Sequence, residues 1–138
     1  MSPRQTGRTE TCGPQQARTC FTQARAFLEV AELVGAEPDE AATPGVAASL
    51  AVLAGIAAAD AACCAALGRR SRGQDHRPVL ALLAQIAPNG QAMSRDLDRL
   101  LAVKDDAHYG LLQVSAQRAA AALRQARRIV DTAAEHVQ

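Results

Sequence analysis

The sequence predicts an all-α protein: a compact antiparallel bundle of about five helices, in a single domain. Two observations carry this. Hydrophobic residues make up 49% of the 138 residues but aromatic ones only 2%. The core is therefore aliphatic and alanine-rich, and alanine combines the highest helix propensity with a side chain small enough for close helix packing. Apolar positions also recur at three- and four-residue spacing, and no run alternates or gathers β-branched and aromatic residues as a strand would. A chain of this length buries a sizeable core without metals or disulfides.

Residues 1–13 are polar, with Arg4 and Arg8 and no apolar stretch of the secretory type. They read as a flexible tail ahead of one helical-bundle domain over residues 14–138. The first helix spans roughly residues 15–34, where Ala17, Cys20, Phe21, Ala24, Phe27, Leu28, Ala31 and Val34 keep a helical period. A linker over residues 35–45 holds Pro38 and Pro44. The second helix runs over residues 46–67 and stops at Gly68, a residue suited to the left-handed turn that ends helices. Its length could span a bilayer, but alanine and glycine are weak membrane residues, so a buried central helix fits better. Residues 69–74 form a basic loop. Asp75 and Pro78 start a third helix with Val79, Leu82, Leu83 and Ile86, and Pro88-Asn89-Gly90 is a turn. The fourth helix presents Met93, Leu97, Leu100 and Leu101 and runs into residues 104–109. The fifth carries the stripe Leu112, Ala116, Ala119, Leu123, Ala126, Val130, Ala133 and Val137.

A formal charge of +1 and the absence of tryptophan argue against a broad duplex-binding face or a base-stacking platform. A local basic pocket stays compatible with both. Cys12, Cys20, Cys63 and Cys64 lack zinc-site spacing. They are expected to be small hydrophobes in a reducing, cytoplasmic compartment, with no metal and no cofactor.

Three places carry chemistry. Lys104-Asp105-Asp106-Ala107-His108-Tyr109 gathers a cation, two carboxylates, an imidazole and the one tyrosine of the chain. On a helix, Lys104 and His108 share a face and can converge on one anionic group, as phosphodiester cleavage requires. Arg69, Arg70 and Arg72, followed by His76 and Arg77, form a second cationic concentration suited to an anion. Capping of the preceding helix end explains part of it. Asp60 is the lone charge within the second helix and falls on its apolar arc, between Leu53 and Leu67. A carboxylate there is either a core Asp tied to an arginine or part of a polar pocket that orients a neighbouring His or Lys. The arginines of the last helix, Arg118, Arg124, Arg127 and Arg128, lie opposite its apolar stripe and read as solvated surface or an oligomer rim.

The order of these elements resembles a HEPN domain over about residues 15–137. The resemblance rests on Asp60 in an alanine-rich helix and on Leu67-Gly68-Arg69-Arg70-Ser71-Arg72-Gly73-Gln74-Asp75-His76. Leu82-Leu83, Leu100-Leu101-Ala102-Val103-Lys104-Asp105-Asp106-Ala107-His108-Tyr109 and a long Ala/Arg helix complete it. It implies a helical bundle that dimerises, and a metal-independent endoribonuclease of the toxin–antitoxin or defence kind. The family hallmark is an Arg, four to six intervening residues and then a His, where this chain has Lys104 and only three residues before His108, or an Arg followed by Ala-x-Tyr. Here Lys104 takes the place of the Arg, and Ala107-His108-Tyr109 matches the second form. The resemblance implies that Lys104 stabilises the phosphorane, that His108 or Tyr109 activates the 2′-hydroxyl, and that Asp60 or His76 orients them. Lysine is a point charge rather than a two-pronged donor. The alternative is therefore a non-catalytic helical interaction module, pairing with itself or with a partner encoded nearby.

Overall fold

The computed structural model describes residues 8–37, 43–73, 75–109 and 114–137. The order is β1 (Arg8–Thr11), α1 (Pro14–Gly35), α2 (Thr43–Leu67), β2 (Arg69–Arg72), α3 (Pro78–Ala84), α4 (Gly90–Tyr109) and α5 (Ala116–His136). Helices dominate and form an all-α bundle. α2 is its central element and packs against α1, α4, α5 and α3. By length and composition α2 could cross a membrane, yet 61% of its apolar window is buried inside the bundle.

Small side chains make this packing possible. α2 buries Ala47, Ala48, Ala51, Ala54, Gly55, Ala58, Ala61 and Ala62, which bring neighbouring backbones close on several sides. Leu97 and Leu100 of α4 and Ile129 of α5 fill the remaining space and are fully buried. Gly68 adopts φ +72 and its N–H donates to the Cys64 carbonyl at 3.1 Å, the expected helix stop. In α5 the buried stripe takes in Ala122 and Ile129 beside Ala119, Ala126, Val130 and Ala133. Leu123 is only half-buried and Ala116 is exposed, because the helix lies rotated slightly from the face its apolar period suggests.

Three expectations are corrected. Residues 8–11, expected within a flexible tail, form β1. Residues 69–72, expected within a loop, form β2, and the two strands pair antiparallel with Arg8 opposite Arg72 and Glu10 opposite Arg70. Neither strand alternates apolar with polar residues, so periodicity had nothing to detect. Cys12 and Cys64, read as free hydrophobes, are joined in a disulfide. Only Cys20 and Cys63 are free thiols, and burial pushes that of Cys63 up to about 12.

Polar clamps tie the helices together, and they use the arginines expected to be solvated. Arg127 of α5 donates to Glu32 of α1 at 2.6 Å. Arg118 pairs with Asp106 across the α4–α5 corner. Arg128 grips Asp96 of α4 with two bonds, at 2.8 and 3.1 Å, and Asp96 is only 6% exposed. Asp96→Ala is expected to cost about 1–3 kcal/mol. This is less than a fully buried pair, because Arg128 is half in water and can be rehydrated. Urea unfolding checks it; a midpoint equal to that of the wild type would show the clamp to be energetically idle.

Candidate functional site

α2 buries nearly its whole circumference, and one stripe escapes. Val46 is 49% and Leu53 44% exposed, and Ser49, Ile56 and Asp60 continue the line at helical spacing. This stripe floors two adjoining clefts. The first, about 230 Å³, is lined by Ser49, Val52, Leu53, Ile56, His76, Val103 and Lys104 and is mostly apolar. The second, about 270 Å³, is polar and is lined by Asp60, Glu10, Arg70, Arg72, His76 and Val79 among others. Ile56 and His76 belong to both, so the two form one groove with His76 at the junction.

Each wall has a local cause. Asp75 accepts from the Arg77 N–H at 3.0 Å and leads the chain into α3, which places His76 immediately before the helix. Arg77 then bridges Asp98 and Asp105 of α4 at 2.9 and 2.7 Å, which docks this corner on α4 opposite Lys104. On β2, alternation turns Arg70 and Arg72 to one side, where both meet Glu10 of β1, at 2.9 and 3.4 Å. Arg70 also reaches Asp60 at 3.8 Å and donates to Cys20 Sγ at 3.5 Å.

The electrostatics follow from burial. Asp60 has a side chain only 25% exposed, and desolvation pushes its carboxyl up to about 6. The nearby Arg70 opposes the rise and Glu10 adds to it. His76 is held below its ordinary value, first by burial and then by the Lys104 ammonium, with Asp75 opposing. At neutral pH it therefore carries a basic nitrogen rather than a charge.

Asp60 is consequently destabilising. Its folded value lies above the unfolded one, so its favourable contribution is complete below about 4 and lost as pH rises through about 6. A shift of this size corresponds to roughly 2–3 kcal/mol. Asp60→Asn should remove that segment of the stability curve, leaving the variant more stable than wild type above pH 7, with the gap closing towards pH 4. Thermal unfolding across this range checks it; parallel curves would show that Asp60 pays no desolvation penalty. Groups held at such a cost in a cleft are often functional.

Of the residues singled out by sequence, Asp60, Arg70, Arg72, His76 and Lys104 come together on this groove. Arg69 does not. Strand alternation turns it away, and it donates to Gln85 at 3.3 Å instead. His108 and Tyr109 stand in the last turn of α4, and their side chains lie outside the described residues. Asp105 and Asp106 are engaged in ion pairs with Arg77 and Arg118. Glu10, Ser49 and Ile56 were not anticipated. Only the pairing of Cys12 with Cys64 could have pointed to Glu10, and spacing does not reveal a pairing. Among the described residues, no three His, Cys, Asp or Glu side chains gather as a metal site would.

The groove can hold an anion between Arg72, His76 and Lys104, seat an apolar group against Leu53, Ile56 and Val103, and accept a proton at His76. Comparison with protein-family models, curated proteins and solved structures finds no match to this chain.

Proposed function

We propose that this chain is a HEPN-like, RNA-associated cytoplasmic protein that acts as a homodimer and receives a phosphodiester in the groove between α2, β2 and α4. One observation carries the reading. Asp60, Arg70, Arg72, His76 and Lys104, spread over three helices' length of sequence, line one continuous groove. Phosphodiester cleavage without a metal needs positive charge on the developing phosphorane and a proton acceptor for the 2′-hydroxyl. Lys104 supplies the first. The neutral imidazole of His76, kept so by burial and by Lys104, supplies the second. The attacking 2′-oxygen forms a bond to phosphorus as the 5′-oxygen bond breaks, leaving a cyclic phosphate and a free 5′-hydroxyl.

The test is cleavage of a labelled oligoribonucleotide with EDTA present, by wild type and by Lys104→Ala and His76→Ala. Cleavage that disappears in both variants supports the reading; intact RNA with folded wild type, assayed both with and without dithiothreitol, sinks the enzymatic form.

The non-catalytic interaction module is favoured by one observation of its own. Glu10 already neutralises Arg70 and Arg72, while Val46 and Leu53 stand exposed. On that reading Leu53→Asp abolishes self-association or partner binding, and Lys104→Ala leaves it intact.

A further inference from the structure

Glu10 occupies the place an incoming anion would take. Its carboxylate sits 2.9 Å from Arg70 and 3.4 Å from Arg72, inside the polar half of the groove. Both arginines are thereby spent on an internal carboxylate. The partners are part-exposed, about a third for Glu10 and Arg70 and half for Arg72. Ion pairs of that kind are individually weak, worth about 1 kcal/mol or less. What keeps Glu10 in position is its tether.

That tether is narrow. Among the described residues, β1, of four residues, pairs with β2 alone, and an isolated two-stranded ribbon is marginal in water. Beyond the ladder, the Cys12 N–H donates to the Gly68 carbonyl at 3.0 Å. The covalent hold is the Cys12–Cys64 disulfide, two residues after Glu10. Cys64 lies one helical turn beyond Asp60 on α2, so the bond anchors the strand beside the groove. A disulfide there raises the effective concentration of the Glu10 carboxylate at the arginines without any new contact.

We propose that Glu10 is an autoinhibitory counter-ion, that the Cys12–Cys64 disulfide holds it in the groove, and that reduction by a dithiol releases it to open an anion site on Arg70 and Arg72. This rests on the reading of the groove as a phosphodiester site. In the reducing step the external dithiol is oxidised to its own disulfide, and Cys12 and Cys64 each gain a hydrogen. β1 is then held by its short ladder, the Cys12–Gly68 bond and its join to α1, and an external phosphate competes with Glu10 more readily. In a cytoplasm, where disulfides are transient and commonly redox-sensing, the oxidised protein is the closed form. Cys20 accepts from Arg70 at 3.5 Å with the disulfide formed, and its thiol is held above the ordinary range by burial and by Asp60.

The experiment measures affinity for a fluorescent oligoribonucleotide, and amide exchange in β1, for oxidised and dithiothreitol-reduced protein. Reduction should speed exchange across residues 8–12 and tighten RNA binding about tenfold, the effect of removing two weak competing ion pairs. Glu10→Gln should tighten binding by a similar factor with the disulfide intact, and reduction should then add nothing. Cys12→Ser should match the reduced wild type and serves if reduction perturbs other thiols. If oxidised protein binds RNA but neither reduction nor Glu10→Gln changes the affinity, the switch is overturned and the groove reading stands. If no form binds RNA, Glu10→Gln included, the groove reading falls and the switch with it.

Discussion

If the groove is the proposed phosphodiester site, Lys104→Ala is expected to slow EDTA-resistant RNA cleavage by roughly 10²–10³-fold, the usual effect of deleting one charge aimed at a developing oxyanion. Lys104 differs from its neighbours in what its charge does. Asp105 and Asp106 are taken up by Arg77 and Arg118, which fix the end of α4. Among the described residues Lys104 makes no ion pair; it is half-buried and lines the groove beside His76. Its removal therefore costs the fold little, and melting temperature should stay within about 2 °C of wild type, as for most surface changes. The loss should fall mainly on kcat, since the charge matters most as the phosphorane forms. Lys104→Arg should retain a measurable part of the rate, which separates a charge requirement from a packing one. A variant that cleaves as fast as wild type would remove Lys104 from the site.

Gly55→Val is expected to cause a large loss of stability. Gly55 lies where α2 meets α4 and α5, and a Cβ added there would stand 2.5 Å from Leu100 Cδ1, 3.5 Å from Ile129 Cδ1 and 3.7 Å from Leu97 Cδ1. All three leucine and isoleucine side chains are fully buried and have nowhere to move. Overpacking of this kind costs about 1–3 kcal/mol for modest insertions, and a branched side chain belongs at the upper end. Replacing glycine in a helix returns up to about 1 kcal/mol, which offsets only part of it. A fall in melting temperature on the order of 10 °C follows for a chain of this size. Gly45→Ala is the control, because nothing lies within 4 Å of a Cβ there. Gly55→Val combined with Leu100→Ala should cost less than the sum of the two, since the deleted leucine vacates the colliding volume. A Gly55→Val protein as stable as Gly45→Ala would mean that α2 does not approach α4 this closely.

Much of the fold was legible because helices carry local signals. The apolar periods of α1 and α4, the stop at Gly68 and the turn at Pro88-Asn89-Gly90 depend on residues within a few positions of one another. The β1–β2 ribbon was not legible. Its pairing joins Glu10 to Arg70, sixty residues on, and neither strand has an apolar face to betray it. The stripe of α2 was half-legible. Asp60 stood out as the lone charge, but alanine on every side of the helix hid which side was left open. The arginines of α5 were half-legible for a related reason. Arg118, Arg127 and Arg128 are half in water as a surface face should be, but their partners Asp106, Glu32 and Asp96 lie on other helices, so only packing could show that they also clamp.

By itself the sequence determined that this chain is an alanine-rich bundle, and it showed where ionisable and hydrogen-bonding side chains concentrate: Asp60, the arginines after Gly68, His76 and residues 104–109, His108 and Tyr109 included. Helix propensity and periodicity are short-range properties, and unusual residues in a bland background stand out without a structure. Tertiary structure decided which of those residues meet. It turned Arg69 away by strand alternation and spent Asp105 and Asp106 on docking α4. It brought Asp60, Arg70, Arg72, His76 and Lys104 to one groove, and it placed Glu10 among them through a bond between Cys12 and Cys64. Those outcomes depend on how whole elements cross and on which distant cysteines come within bonding reach, and no local pattern encodes either.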